Sequence, residues 1–206
     1  MNALIRIAAA TVLLFSALAA NAKPTTTPTP QQRQAAQKLA GISVRMLDLS
    51  RLFRYNGSEH SWYKSFQAIM TAEEFRCFTA KMGTSQGFRA YKMDEALDYV
   101  QHRSPQDLQR DFALLTPQTV QALSRLMSAF TQEAHSPDPF RQEVEKLRQD
   151  PPLFDAVDRF MSGEQHRDLR QLLLSFTFDT NNFENSVHSF QRYAFWSLKA
   201  CHIPVE

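Results

Sequence analysis

The stretch Thr116–Phe130, "TPQTVQALSRLMSAF", carries both the start signal and the body of a helix. Thr116 supplies a side-chain oxygen able to accept from a free backbone N–H. Pro117 follows at the first helical position, where a missing N–H costs nothing and the ring already sets a helical φ. Val120, Leu123, Met127 and Phe130 then recur at spacings of three and four, so they share one face. The same pairing of capping residue and proline stands at Ser104-Pro105, Asp138-Pro139 and Asp150-Pro151. Capping boxes at Thr71-Ala-Glu-Glu74 and Ser162-Gly-Glu-Gln165 mark two further starts.

Outward from this stretch, the spacing of three and four persists. It runs through Phe75, Phe78 and Met82; through Phe140, Val144 and Leu147; and through Leu169, Leu173 and Phe176. Ala35, Leu39, Ile42, Met46, Leu49 and Phe53 predict one long first helix, ended by Asn56-Gly57. Phe183, Val187, Phe190, Ala194, Leu198 and Cys201 predict the last. No segment alternates apolar and polar residues as a strand would. The expected fold is an all-α single multi-helix bundle of nine or ten short helices. "AIMTAEEFRCFTAKM" from Ala68 and "ALLTPQTVQALSRLM" from Ala113 align without gaps, and "FMSGEQHRDL" from Phe160 falls one similar step further on. That spacing is compatible with a helical repeat of about 45 residues.

The first residues, "MNALIRIAAATVLLFSALAANA", combine an early Arg6, an apolar run and a small-x-small ending at Ala20-Asn21-Ala22. This pattern predicts a secretory signal peptide over residues 1–22. "KPTTTPTP" reads as an extended Pro/Thr-rich leader over 23–30, with the helical domain at 31–206. No later apolar run approaches the about 20 residues a membrane span needs, so no stable membrane insertion is expected. The expected location is the bacterial periplasm, with release to the medium as the other outlet.

An exported chain matures where disulfides persist, and two cysteines form a single intramolecular bridge. Cys77 and Cys201 are therefore expected to be joined, tying down the C-terminal helix. The first 22 residues hold one of the 23 basic side chains and none of the 21 acidic ones. A balance so close to neutral, with no run of Lys or Arg, offers no footprint for nucleic acid or anionic lipid.

"TAEEFRCFTAKMGTSQG", Thr71–Gly87, resembles the signature of a family of secreted bacterial helical proteins whose domain has no assigned function. In that family a T-x-E-E-L helix start is followed, after an aromatic pair, by S-P-x-G. Thr71, Glu73, Glu74, Phe75 and Gly87 stand at matching places, while Lys81-Met82 replaces the aromatic pair and Thr84-Ser85 the Ser-Pro. The resemblance implies a periplasmic helical bundle and transfers no catalytic residue.

No H-E-x-x-H, G-x-S-x-G or phosphate-cradling glycine loop is present. The six histidines, at 60, 102, 135, 166, 188 and 202, are dispersed and read as surface or helix-end side chains. Glu184 and His188, with Asp179 nearby, are the one arrangement resembling a metal site, and a solvated ion pair is the simpler reading. Neither a cofactor nor a metal is expected.

What stands out is a heavy aromatic load: 16 Phe, five Tyr and two Trp. In "HSWYKSF" and "FQRYAFW", rings alternate with polar groups. Off their helices' core stripes lie His60, Trp62 and Tyr63, then Arg192, Phe195 and Trp196, the residue types that anchor interfaces. These six are the expected partner-binding residues, unless the rings pack between helix layers. The expected function is non-enzymatic binding of a protein in the envelope, as an inhibitor or an immunity protein against a toxin would do. A periplasmic chaperone is the alternative: "LLTPQ", Leu114–Gln118, resembles the L-T-x-x-Q of small helical chaperones with the glutamine one place early. A hydrolase assembled from separate helices is the third reading.

Overall fold

The computed structural model describes residues 27–48, 50, 61–132, 138–174 and 183–204. Among them are ten α-helices, one 3-10 turn and no strand, the all-α bundle expected from the spacing. The helices are α1 (Pro30–Met46), α2 (Ser61–Ile69), α3 (Ala72–Met82), α4 (Ser85–Gln101), α5 (Pro105–Leu114), α6 (Pro117–Gln132), α7 (Asp138–Arg148), α8 (Pro151–Ser162), α9 (Arg167–Leu174) and α10 (Phe183–Ala200). The 3-10 turn, Glu164–His166, joins α8 to α9. No helix among the described residues is long and apolar enough to cross a membrane. The expected signal peptide lies outside the described residues.

Most of the start signals act as their chemistry dictates. Ser104 Oγ accepts from Asp107 N at 3.1 Å, Thr116 Oγ1 from Thr119 N at 3.1 Å, and Asp150 Oδ1 from Leu153 N at 3.2 Å. The capping box at α3 closes in both directions, with Glu74 N donating to Thr71 Oγ1 and Thr71 N to Glu74 Oε2. These bonds, led by the one from the Thr71 backbone, hold the Glu74 carboxyl below its usual value. Thr29-Pro30 opens α1 with a capping box to Gln32, a start that the sequence reading had placed in the leader.

Two expectations are corrected. Ser162 does not open a capping box: it is the last residue of α8, and its hydroxyl donates back to Asp158 O at 2.8 Å. Gly163 takes the cap position without a side-chain bond, so the 3-10 turn is held from elsewhere, by Arg170. The first helix also stops before its stripe does. Leu47 is extended (φ −150°, ψ 102°), and the buried Asp48 accepts from both the N–H and the hydroxyl of Ser50, at 3.0 and 2.6 Å. A buried carboxylate with local donors within two residues competes with the helix for the backbone. Leu49 and Phe53, the end of that stripe, lie outside the described residues.

The bundle has two cores that share α1 and α4. The larger joins Ala36, Leu39 and Ile42 of α1 to Ala96 and Val100 of α4, Leu123 and Met127 of α6, Phe160 of α8, and Leu169 and Leu173 of α9. The smaller joins Leu47 at the C-cap of α1 to Phe78 and Met82 of α3, Phe88 and Tyr91 of α4, and Tyr193, Ala194 and Leu198 of α10, with Val44 of α1 packed against it. The disulfide Cys77–Cys201, with Cα atoms 5.9 Å apart, crosses from α3 to the end of α10 at this smaller core. Beyond it the chain turns through His202 in the left-handed region (φ 56°), and Ile203 N reaches back to Leu198 O.

Gly87 fixes the angle between α3 and α4. Its Cβ, if present, would stand 2.0 Å from Lys81 O, so the first turn of α4 lies directly on the last carbonyls of α3. Those carbonyls are held there by Tyr193, whose hydroxyl donates to Lys81 O at 2.5 Å. Gly87→Ala is expected to push the two helices apart and destabilise the protein by about 2–3 kcal/mol, the scale of overpacking strain, despite alanine's better helix propensity. Urea denaturation checks this, and a variant as stable as the parent would show that α4 does not need the close approach.

Candidate functional site

α10 carries the residues that sequence reasoning singled out, and the structure separates them. Tyr193, fully buried, stacks on Tyr91 at 5.0 Å and meets Phe88 edge-on at 5.3 Å. Burial, and after it the charge of Asp48, pushes its phenol well above the usual tyrosine value, so it stays a neutral donor. Trp196 joins this cluster, 5.8 Å from Tyr91, and its Nε1–H donates to Asp94 Oδ2 at 2.7 Å. It is therefore half-buried between α4 and α10, the packing between helix layers that was the other reading of these rings. The helix buries more than one stripe because it closes the smaller core from two sides.

Phe195 is different: 51% of its surface is exposed. Arg192 and Lys199, at i−3 and i+4, share its face, and both are exposed, as is His202 beyond them. Phe195, Lys199, His202, Ile203 and Pro204 line a shallow groove beside the disulfide. Of the six expected contact residues, two thus keep an exposed position, Arg192 and Phe195. His60 and Asp179 lie outside the described residues, as do the side chains of Trp62, Tyr63, Glu184 and His188.

A second region was missed in the sequence. The end of α5 and the starts of α6 and α8 converge on a cleft of about 520 Å³. Its floor is polar and buried. Tyr99 of α4 donates its hydroxyl to Asp111 Oδ2 at 2.6 Å, and Asp111 Oδ1 is 3.2 Å from Nδ1 of His166. Asp111 and His166 are each 5% exposed. Since a carboxylate only accepts, Nδ1 of His166 is the protonated nitrogen. Burial first, then the bond to Asp111, raises the Tyr99 phenol above its usual value, which keeps it a donor. Arg170, also buried, holds the 3-10 turn beneath His166 by donating to Phe160 O and Gly163 O, both at 2.8 Å. Burial lowers the pKa of its guanidinium. The rim of the cleft carries Arg110, Arg159 and Asp150, and one wall is apolar, with Leu114, Pro152, Leu153 and Ala156.

The sequence did hold a signal for this floor. Leu108, Asp111 and Leu115 lie at i, i+3 and i+7 on α5 and its C-cap, and His166, Leu169 and Leu173 repeat that spacing through the 3-10 turn and α9. A charged or titratable residue at a core position demands a buried partner.

No hydroxyl among the described residues is bonded to His166 other than through Asp111, and both cysteines are in the disulfide, so the pair lacks a bonded nucleophile there. Among the described residues no three His, Cys, Asp or Glu side chains gather as metal ligands. Comparison with family models, with curated proteins and with solved structures finds no match.

Proposed function

We propose that the chain is an exported, non-enzymatic protein-binding domain of the bacterial envelope, acting as an inhibitor or immunity protein does, and that its contact surface is the exposed face of α10. The observation that carries this reading is Phe195. It is a large ring more than half exposed on a helix immobilised by the disulfide and flanked by Arg192 and Lys199. A rigid aromatic within a cationic rim suits an acidic partner surface with an apolar recess, the arrangement in which a single ring supplies much of the affinity. The disulfide supports an oxidising compartment. A chaperone reading has less support, because the exposed large apolar residues described, Ile69, Phe130 and Phe195, lie on three different helices rather than on one broad apolar surface.

A partner captured from envelope extract and purified allows the test. Phe195→Ala is expected to leave the melting temperature within about a degree of the parent and to weaken binding about thirtyfold, the effect of a 2 kcal/mol anchor. Trp196→Ala, by contrast, is expected to lower stability by about 2 kcal/mol through lost ring contacts and the lost bond to Asp94. Unchanged affinity in both Phe195→Ala and Arg192→Glu would place the interface elsewhere.

A further inference from the structure

The cleft at His166 has no role in a contact surface on α10, yet it is built as a site. A histidine more than nine-tenths buried lines it. Its Nδ1 is committed to Asp111, and its Nε2 has no partner among the described residues. Unmet buried nitrogens are rare in folded proteins and call for an explanation. The volume of about 520 Å³ falls in the range of small-molecule pockets. The rim arginines retain donors, since Arg110 uses one nitrogen on Asp107 and Arg159 its Nε on the Asp155 carbonyl. Asp111 behind the ring accepts two bonds, from the Tyr99 hydroxyl and from Nδ1 of His166, and so fixes the position of the ring.

We propose that this cleft binds a small organic anion. Its carboxylate is bonded by His166 Nε2–H and a rim arginine, and its apolar body lies along Leu114, Leu153 and Ala156. The anion takes the proton-bearing form of the ring, so binding takes up a proton wherever free His166 is neutral. The groups acting on that proton are Asp111 and Arg110 from α5, Tyr99 from α4, Asp150 and Arg159 from α8 and its cap, and Arg170 from α9. The carboxylate of Asp111 and the arriving ligand favour the cation, and the arginines oppose it. Asp150 offsets one of them. The arginines bring the anion in; His166 and the apolar wall select it.

The test uses the full oxidised protein with benzoate and hexanoate as probes, against benzamide, hexanamide and inorganic phosphate. Long-range proton–nitrogen spectra read the two nitrogens of His166 directly. At a pH where the spectrum of the free protein shows a neutral His166 ring, benzoate or hexanoate at millimolar concentration is expected to move the Nε2 signal saturably toward the imidazolium position, with the amides and phosphate at least tenfold weaker. His166→Gln would confound loss of the site with loss of the fold. The deciding variant is therefore Arg159→Gln, on the exposed rim, which is expected to weaken the response at least tenfold while leaving the melting temperature unchanged. Arg192→Gln, on α10, is expected to leave it intact. No response to either carboxylate overturns the proposal, and so does an equal response to the amides. A response to phosphate as strong as to benzoate overturns the organic class, and a response untouched by Arg159→Gln and Arg110→Gln overturns the cationic rim.

Discussion

Cys77→Ser combined with Cys201→Ser is expected to cost the protein about 3–5 kcal/mol of stability. The bridge spans a sequence separation of 124 residues, and releasing a loop of that size returns to the unfolded chain an entropy equivalent to about 5 kcal/mol in the chain-entropy model. Measured effects of this kind fall at or below such figures. Against a total of about 5–15 kcal/mol for an ordinary domain, the loss is large. It should also be uneven. The bridge fastens α3 to the end of α10, and both helices belong to the smaller core, whereas α6 and α9 belong to the larger one. Hydrogen exchange on the double variant is expected to show early loss of protection in α3 and α10, with the amides of α6 and α9 keeping theirs until global unfolding. Guanidinium denaturation checks the magnitude. A change of under 1 kcal/mol, or equal loss of protection in both cores, would remove the bridge from its place as the clamp of the C-terminal helix. Because Phe195 sits on that clamped helix, the same variant should also weaken the proposed contact.

What could be read in the chain beforehand follows from how local each signal is. Helix starts at Ser104, Thr116 and Asp150 depend on three or four consecutive residues and are visible without the fold. Ser162 misled because the same letters can end one helix as readily as open the next, and the deciding bonds come from Arg170, outside the four residues of the capping pattern. The angle of α4 against α3 was illegible for a similar reason. Gly87 reads as one glycine among five until Lys81 is seen against it. α4 shows no clean stripe because it is shared: Ala96 and Val100 face the larger core, Phe88 and Tyr91 the smaller. A helix covered on two sides has no single apolar face to announce it. Trp196 follows the same logic, a ring off one stripe that also packs toward a second. The His166 cleft was legible only as an anomaly, a carboxylate and an imidazole each standing where a leucine would be expected.

Lys92 is the strongest case of such an anomaly, and changing it is expected to be as costly as breaking the disulfide. It stands midway between Phe88 and Ala96, four residues from each, and has no exposed surface. Its Nζ donates to Glu95 Oε2 at 2.6 Å and to Leu172 O, at the end of α9, at 2.5 Å. Desolvation by burial lowers its pKa from the usual 10.5, and Glu95 works against that shift through its charge and hydrogen bond. Lys92→Ala is expected to cost about 3–5 kcal/mol, since it leaves a cavity, a carboxylate without its counter-ion and the Leu172 carbonyl with only the long bond from the Ser43 hydroxyl, at 3.5 Å. Lys92→Met fills the space and should recover part of that loss. Glu95→Gln removes the charge while its amide oxygen can still accept from the Tyr91 hydroxyl that Glu95 now receives, and its amide nitrogen, a donor, then faces Lys92 Nζ where a carboxylate oxygen accepted. With the counter-ion gone, burial acts on Lys92 unopposed and its folded-state pKa falls further. Between that value and 10.5 the unfolded chain holds more protons than the folded one, so stability rises with pH across the interval. The Glu95→Gln variant is therefore expected to be most destabilised near neutral pH and to regain stability as pH approaches 10, more steeply than the parent. Lys92→Met, with no proton to lose at this position, should lack the contribution altogether. Urea titrations of the three variants between pH 6 and 10 decide the matter. Parallel pH profiles for Glu95→Gln and Lys92→Met would mean that Lys92 keeps its proton in the folded variant across this range, so that Glu95 is not what holds its charge.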